Sequence, residues 1–276
     1  MDDNLYQPPG TTNSGGLSSG RFGRFNLSRA FTLGWDGFQR NMGMAIAALI
    51  VLSLCAVAAI FVPPVLGYFL FFPHLVLLGA PLAGLYAVRD RLEISHAFLG
   101  FSKFAPIFIG GLIYLLVLII LTAIFSGPSY YYMFKDVDWN AGADAIAQAF
   151  TAGSQQIPVW MTLFSYLGSI GGWYVGARLM IFLPLIIERN MAVGEALSAS
   201  LEATARDQGM LMLFVLLSNI IAGAGVIICG IGVLFSGALS MCLQGAAVYM
   251  LLGEDKKEKD SQSDAGSLES GQGDFA

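Results

Sequence analysis

The sequence predicts an all-α polytopic membrane protein. Six transmembrane helices form three parallel hairpins, each preceded by a cytoplasmic amphipathic helix. Three observations predict it. Of the 276 residues, 56% are hydrophobic and 12% charged, against about 25% charged in an average soluble domain. The mean hydropathy is +0.68, and apolar residues fall in blocks of about 20, the length that crosses ~30 Å of hydrocarbon. Finally, 12 of the 14 Lys and Arg fall on one side of the blocks so defined. A disordered chain is excluded, and the composition argues against an ordinary soluble globule.

The spans are placed at residues 42–62, 65–88, 104–126, 159–187, 210–231 and 233–253. They make a membrane domain of residues 21–253 between a polar tail of residues 1–20 and an acidic tail of residues 254–276. Both tails lack the apolar content to fold alone. Pro81 and Pro184 fall inside the second and fourth spans and predict kinks there. The fifth and sixth spans join at a tight turn near residues 230–232.

Orientation follows from the cations. Arg21, Arg24, Arg29 and Arg40 precede span one. Arg89, Arg91 and Lys103 lie between spans two and three, Arg189 and Arg206 between four and five, and Lys256, Lys257 and Lys259 after six. The positive-inside rule then puts both termini in the cytoplasm. Residues 1–20 have no apolar core, so span one is expected to act as an uncleaved signal. The loop of residues 127–158 faces outward, and Tyr130, Tyr131, Tyr132, Trp139 and Trp160 suit its membrane–water interface. Within it Trp139, Ala143, Ile146 and Phe150 fall on one stripe of a short helix.

The charge of −5 and the pI of 4.9 come from the tails, because residues 21–253 hold 11 cations against 10 acids. No basic stripe argues for nucleic acid. Cys55, Cys229 and Cys242 make no disulfide framework and no metal-ligand spacing. His74 and His96 are too few for a histidine-rich metal site. No phosphate-binding loop, nucleophile elbow or metalloprotease motif is present, so no cofactor, metal or catalytic residue is expected, and the chain is not expected to be an enzyme.

A short pattern recurs three times on the cytoplasmic side: apolar, any, apolar, Ser/Gly, any, Ala, apolar. Its copies are residues 25–31, 92–98 and 191–197. Ser28, Ser95 and Gly194 are the expected helix N-caps. Arg40, Gly43 and Met44 match Arg206, Gly209 and Met210 at a constant offset of 166. After the first copy Phe31, Trp35, Phe38 and Met42 share one helical face, as in an interfacial helix.

None of the acids lies well inside a span, which disfavours ion-coupled transport. Arg178 is the one cation deep in a span; it either snorkels to the headgroups, pairs with carbonyls, or binds a lipid phosphate or anionic substrate. His74, Asn219 and Gln244 are polar groups able to bridge helices. A path for a solute would bring Arg178, His74 and Asn219 to one cavity. Gly168, Gly172 and Gly176 form a close-packing stripe, either inside the bundle or at a homo-oligomer seam. Ala80 and Gly84 make another such step.

The run Phe182–Ile187, the segment Gly194–Ser200, the turn Cys229-Gly230-Ile231-Gly232 and the ending Tyr249–Gly253 carry a resemblance. Residues 25–253 resemble small bacterial inner-membrane proteins of unknown function, the YciC-like proteins and the membrane domain attached to some glycerophosphodiester phosphodiesterases. The resemblance implies a bacterial cytoplasmic membrane and a six-helix bundle, and it transfers no catalytic residue. The expected role is non-enzymatic, lipid-associated or scaffolding. The alternatives are a transporter or channel for a lipid or amphipathic solute, and an anchor or accessory subunit. Expected partners are membrane lipids, a second copy or another protein, and no nucleic acid.

Overall fold

The structure, a computed structural model, describes residues 22–60, 78–138, 140, 142–227 and 231–254. All its elements among these residues are helices: α1 (Leu27–Arg40), α2 (Met42–Ile60), α3 (Ala80–Val88), a 3-10 helix (Ile94–Lys103), α4 (Phe104–Phe134), α5 (Ala143–Gln155), α6 (Val159–Arg178), α7 (Phe182–Glu188), α8 (Val193–Ala205), α9 (Gln208–Ile227) and α10 (Ile231–Leu251).

Four stretches among the described residues are long and apolar enough to cross a membrane: Ile94–Phe134, Val159–Glu188, Gln208–Gly225 and Gly232–Leu251. A fifth results if the bent pair Leu27–Arg40 and Met42–Ala58 is one span. The expected second span is described only from residue 78 on, so four to five spans stand where six were expected. His74, Trp139, Cys229 and both terminal tails apart from Glu254 lie outside the described residues.

The bend between α1 and α2 is 92°. Asn41 forms the corner. Its Nδ2 donates to Ala87 O at 3.0 Å and to Asp90 Oδ1 at 3.1 Å, fastening the bend to the end of α3. The inner face of α1 is Ala30, Gly34, Gly37 and Phe38, packed on α3 and α10. Of the expected apolar stripe, Phe38 is buried and Phe31 half-buried against the core. Trp35 and Met42 remain 47% and 44% exposed, on the side away from the bundle core.

All three copies of the recurring pattern start a helix at the same place, on Leu27, Ile94 and Val193. The alanines Ala30, Ala97 and Ala196 are all fully buried, at 0% exposure. The caps are not the expected Ser28, Ser95 and Gly194; they lie earlier, at Asn26, Glu93 and Ala192. Asn26 Oδ1 accepts from Arg29 N at 3.0 Å, and Glu93 N donates to His96 Nδ1 at 3.0 Å in a reciprocal box. Asn26 and Glu93, two positions earlier, reach amides that Ser28 and Ser95, already inside the helix, cannot. The α8 and α9 starts follow those of α1 and α2 at the same offset of 166 residues.

A further regularity was not visible in the pattern. Asp90 (φ 57°), Asn190 (φ 51°) and Gly253 (φ 78°) are left-handed residues just past α3, α7 and α10. Asx and Gly tolerate that region best, and it closes the last turn of a helix.

The α4 helix runs to Phe134, well past the expected end at residue 126, and carries Pro128 near its end. Tyr130, Tyr131 and Tyr132 therefore belong to its final turns. At ~1.5 Å per residue it is about 46 Å long, longer than the hydrocarbon is thick. The α5 helix lies on this extension, with Phe150 edge-on to Phe134 at 4.9 Å. The expected kink at Pro184 is instead a break at residues 179–181. Pro184 has no N–H for the carbonyl of Met180 and its ring crowds that carbonyl, so the helix gives way before the proline.

The α10 helix is the centre, flanked by α1, α2, α3 and α9, while α4 and α6 pair beside it. Backbones approach most closely where Gly84 of α3 crosses Gly245 of α10. A Cβ on Gly84 would collide with the Met241 carbonyl, and one on Gly245 with the Gly84 backbone. Of the expected step at Ala80 and Gly84, Gly84 is thus the residue at the crossing, and Gly245 is its unforeseen partner. Outward residues such as Leu112, Leu116 and Ile120 on α4 and Leu163, Leu167 and Ile170 on α6 are exposed apolar surface suited to lipid.

Candidate functional site

Two places bring polar side chains together. The first is a charged hub at one end of the bundle. The ends of α3, α7 and α10 meet there, with Arg89 just past α3, Glu188 last in α7 and Glu254 three residues past α10. Arg89 Nη2 donates to Glu188 Oε2 at 2.7 Å, and its Nε to Glu254 Oε2 at 3.0 Å. Nη2 also bonds the other Glu254 oxygen. Tyr86 Oη donates to Glu188 Oε1 at 3.1 Å, and the Tyr86 ring stacks on His96 at 3.8 Å. Burial alone would lower the Arg89 pKa. The bonds to Glu254 and Glu188 outweigh it, so the guanidinium is held above its ordinary value.

Further ties surround the hub. Arg189 Nη2 donates to Leu252 O at 2.7 Å, and Lys103 Nζ to Ile186 O at 2.9 Å and Asn190 Oδ1 at 2.6 Å. Phe25 N donates to Asp207 Oδ2 at 2.8 Å, fastening the start of α1 to the α8–α9 corner. The same end of the bundle therefore holds the α1 start, the 3-10 helix, α8 and the exits of three helices. Beside the hub, a cleft of about 400 Å³ runs between α1 and the α3 exit, with the exposed Arg40 and Arg91 on its rim.

The second place is a cavity of about 260 Å³ inside the bundle. Gly176, Leu179, Met180 and Leu183 line it from the α6–α7 break, and Phe214, Val215, Ser218 and Asn219 from α9. Pro81, Tyr114 and Gln244 complete it from α3, α4 and α10. Ser218 is 2% exposed, and its Oγ has no hydrogen-bond partner among the described residues. Asn219 is exposed, and its Nδ2 donates to Val215 O at 2.7 Å.

The expected site residues do not form one set. Asn219 lines the cavity; Arg178 does not, and His74 lies outside the described residues. Arg178 ends α6. Its carbonyl accepts from Ser200 Oγ at 2.8 Å and Thr204 Oγ1 at 3.3 Å, which seats α8 on the α6–α7 break. Its Nη1 is buried without a hydrogen-bond partner among the described residues. The three stripe glycines also part company. Gly168 lies against Phe125 inside the α4–α6 seam, Gly172 faces open space, and Gly176 leaves room for the cavity beside Tyr114. Tyr114 and Ser218 escaped sequence reasoning; a tyrosine deep in an apolar span was the signal available for the first.

Comparison with known proteins bears on the second half of this architecture. No curated protein and no solved structure gave a significant match. Residues 150–251 match the family model described as the membrane domain of glycerophosphoryl diester phosphodiesterase. The match takes in Glu188, α6 to α10 and most of the cavity lining, so the part of the chain that builds the bundle centre is similar to a membrane domain of that family.

Proposed function

We propose that this is a non-enzymatic integral protein of a bacterial cytoplasmic membrane, with both termini cytoplasmic and a lipid-associated, supporting role in the envelope. Its six spans, counting residues 65–88, form three hairpins entered from the cytoplasm. The observation that carries the reading is the 92° turn from α2 into α1 at the charged end of the bundle. With α2 upright in the bilayer, α1 lies in the membrane plane. There Trp35 and Met42 suit the headgroup boundary, and Arg40 and Arg91 suit anionic headgroups.

Extraction in mild detergent followed by intact-complex mass spectrometry tests this. Lipid retained at fixed stoichiometry is the expected result. Stoichiometric solute flux driven by an ion gradient in sealed vesicles would overturn it. A carrier or channel is the second reading, and the cavity at Asn219 is the observation favouring it. An anchoring role for the tails is tested by deleting residues 1–20 and 255–276; loss of function together with loss of a co-purifying protein would favour it.

A further inference from the structure

We propose that the cavity beside the α6–α7 break binds the chain of an uncharged lipid bearing one hydroxyl or carbonyl group. The proposal rests on the lipid-associated reading above and gives it a site.

Depth is the first argument. Val215 to Asn219 lie about 10–16 Å along α9 from its start at Gln208, at ~1.5 Å per residue. Tyr114 is about 15 Å into α4, and Gln244 about 10 Å from the end of α10. All three measures start from the charged end, so the cavity sits near the middle of a bilayer ~30 Å thick. Its mouth is the second argument. Asn219 is exposed on a helix whose neighbouring outward residues, Leu213 and Ile220, are exposed and apolar, so the opening meets hydrocarbon.

Chemistry selects the occupant. Pro81, Leu179, Met180, Leu183, Phe214 and Val215 make the wall apolar, which suits a chain. Among the described residues no ionisable acid or cation lines it, so an ionised headgroup inside would find no counter-charge among them. The buried Ser218 hydroxyl is unpartnered, and Pro184 cannot donate to the Met180 carbonyl at the wall. A ligand hydroxyl can bond Ser218 Oγ or donate to the Met180 carbonyl, and a ligand carbonyl can accept from Ser218 Oγ. The volume of about 260 Å³ is that of some nine liquid waters at ~30 Å³ each, room for a chain segment but not a two-chain phospholipid.

The test uses the full chain in phosphatidylcholine vesicles with diazirine-bearing palmityl alcohol, and diazirine-bearing palmitic acid for comparison. After illumination, adducts are mapped by mass spectrometry. The expected result is saturable labelling of residues 176–183 and 214–219 by the alcohol, competed by unlabelled palmityl alcohol, at about ten-fold lower concentration than the acid requires. Gly176→Leu fills the cavity and lowers labelling about ten-fold. Ser218→Ala lowers affinity about three-fold through one lost hydrogen bond. Gly172→Leu, on the same helix facing open space, leaves labelling unchanged. Non-saturable labelling, equal labelling by the acid, or full labelling of both Gly176→Leu and Ser218→Ala overturns the proposal. Stoichiometric lipid retained equally by wild type and Gly176→Leu removes the site but leaves the lipid-associated role standing. Saturable labelling at the site in a protein that retains no native lipid upholds the site and removes that role.

Discussion

Replacing Arg89 with Met tests whether the charged hub holds the bundle end together. The substitution keeps most of the side chain's length and removes its charge. It leaves Glu188 and Glu254 facing each other without their cation. In the structure Arg89 and Glu188 are 2.7 Å apart, with side chains only 19% and 14% exposed, and Glu254 is 29% exposed. Breaking a fully buried pair costs about 3–5 kcal/mol, and exposed pairs are worth under about 1 kcal/mol. These exposures lie nearer the buried limit, so the expected loss is about 2–4 kcal/mol. Unfolding of the purified protein in mixed detergent–SDS micelles, followed by tryptophan fluorescence, measures it. Adding Glu188→Gln removes one orphaned carboxylate, so the double variant should recover at least about 1 kcal/mol relative to additivity. A loss below about 0.5 kcal/mol in Arg89→Met, or strict additivity in the pair, would refute the argument that the hub is a coupled, partly desolvated cluster.

Three further outcomes are expected. Gly84→Ala forces a methyl into the Met241 carbonyl and should cost about 1–3 kcal/mol by the same unfolding assay, while Gly172→Ala stays within about 0.5 kcal/mol. Asn26→Ala removes the cap on Arg29 N and should cost about 1 kcal/mol, with Asn26→Ser retaining most of it. Arg178→Met removes a buried, unpartnered Nη1 and should cost under about 1 kcal/mol in zwitterionic nanodiscs. A larger loss confined to anionic nanodiscs would instead assign Arg178 to a lipid phosphate.

Hydropathy made α2, α9 and α10 legible, because in a bilayer the apolar stretch and the helix are the same object. The repeated pattern located three helix starts because its alanine must be small enough to vanish into the core. It misplaced the caps because any Ser beside a helix start resembles one. The length of α4 was hidden because its last turns are tyrosines, which read as interface whether helical or not. The hub was not legible at all. Arg89 is separated from Glu188 by 99 residues and from Glu254 by 165; in sequence Arg89 reads only as a flank that sets orientation, Glu188 as the end of a span and Glu254 as the start of the acidic tail. The cavity was half-legible: Asn219 and Gln244 stood out as polar groups among apolar ones, but which faces met required the helices to be packed.

The pairing of Arg89 with Glu254 also sets an order on synthesis. When Arg89 leaves the ribosome, its second carboxylate is still 165 residues away. At about 5–20 residues per second, that interval is at least about 8 s. The early helices therefore enter the membrane with this arginine only partly matched, first awaiting Glu188 and then Glu254. Until the last helix arrives, that end of the molecule is open to whatever insertion factor or anionic lipid can shield a guanidinium. Closure of the hub gives Arg89 both of its carboxylates from within the chain.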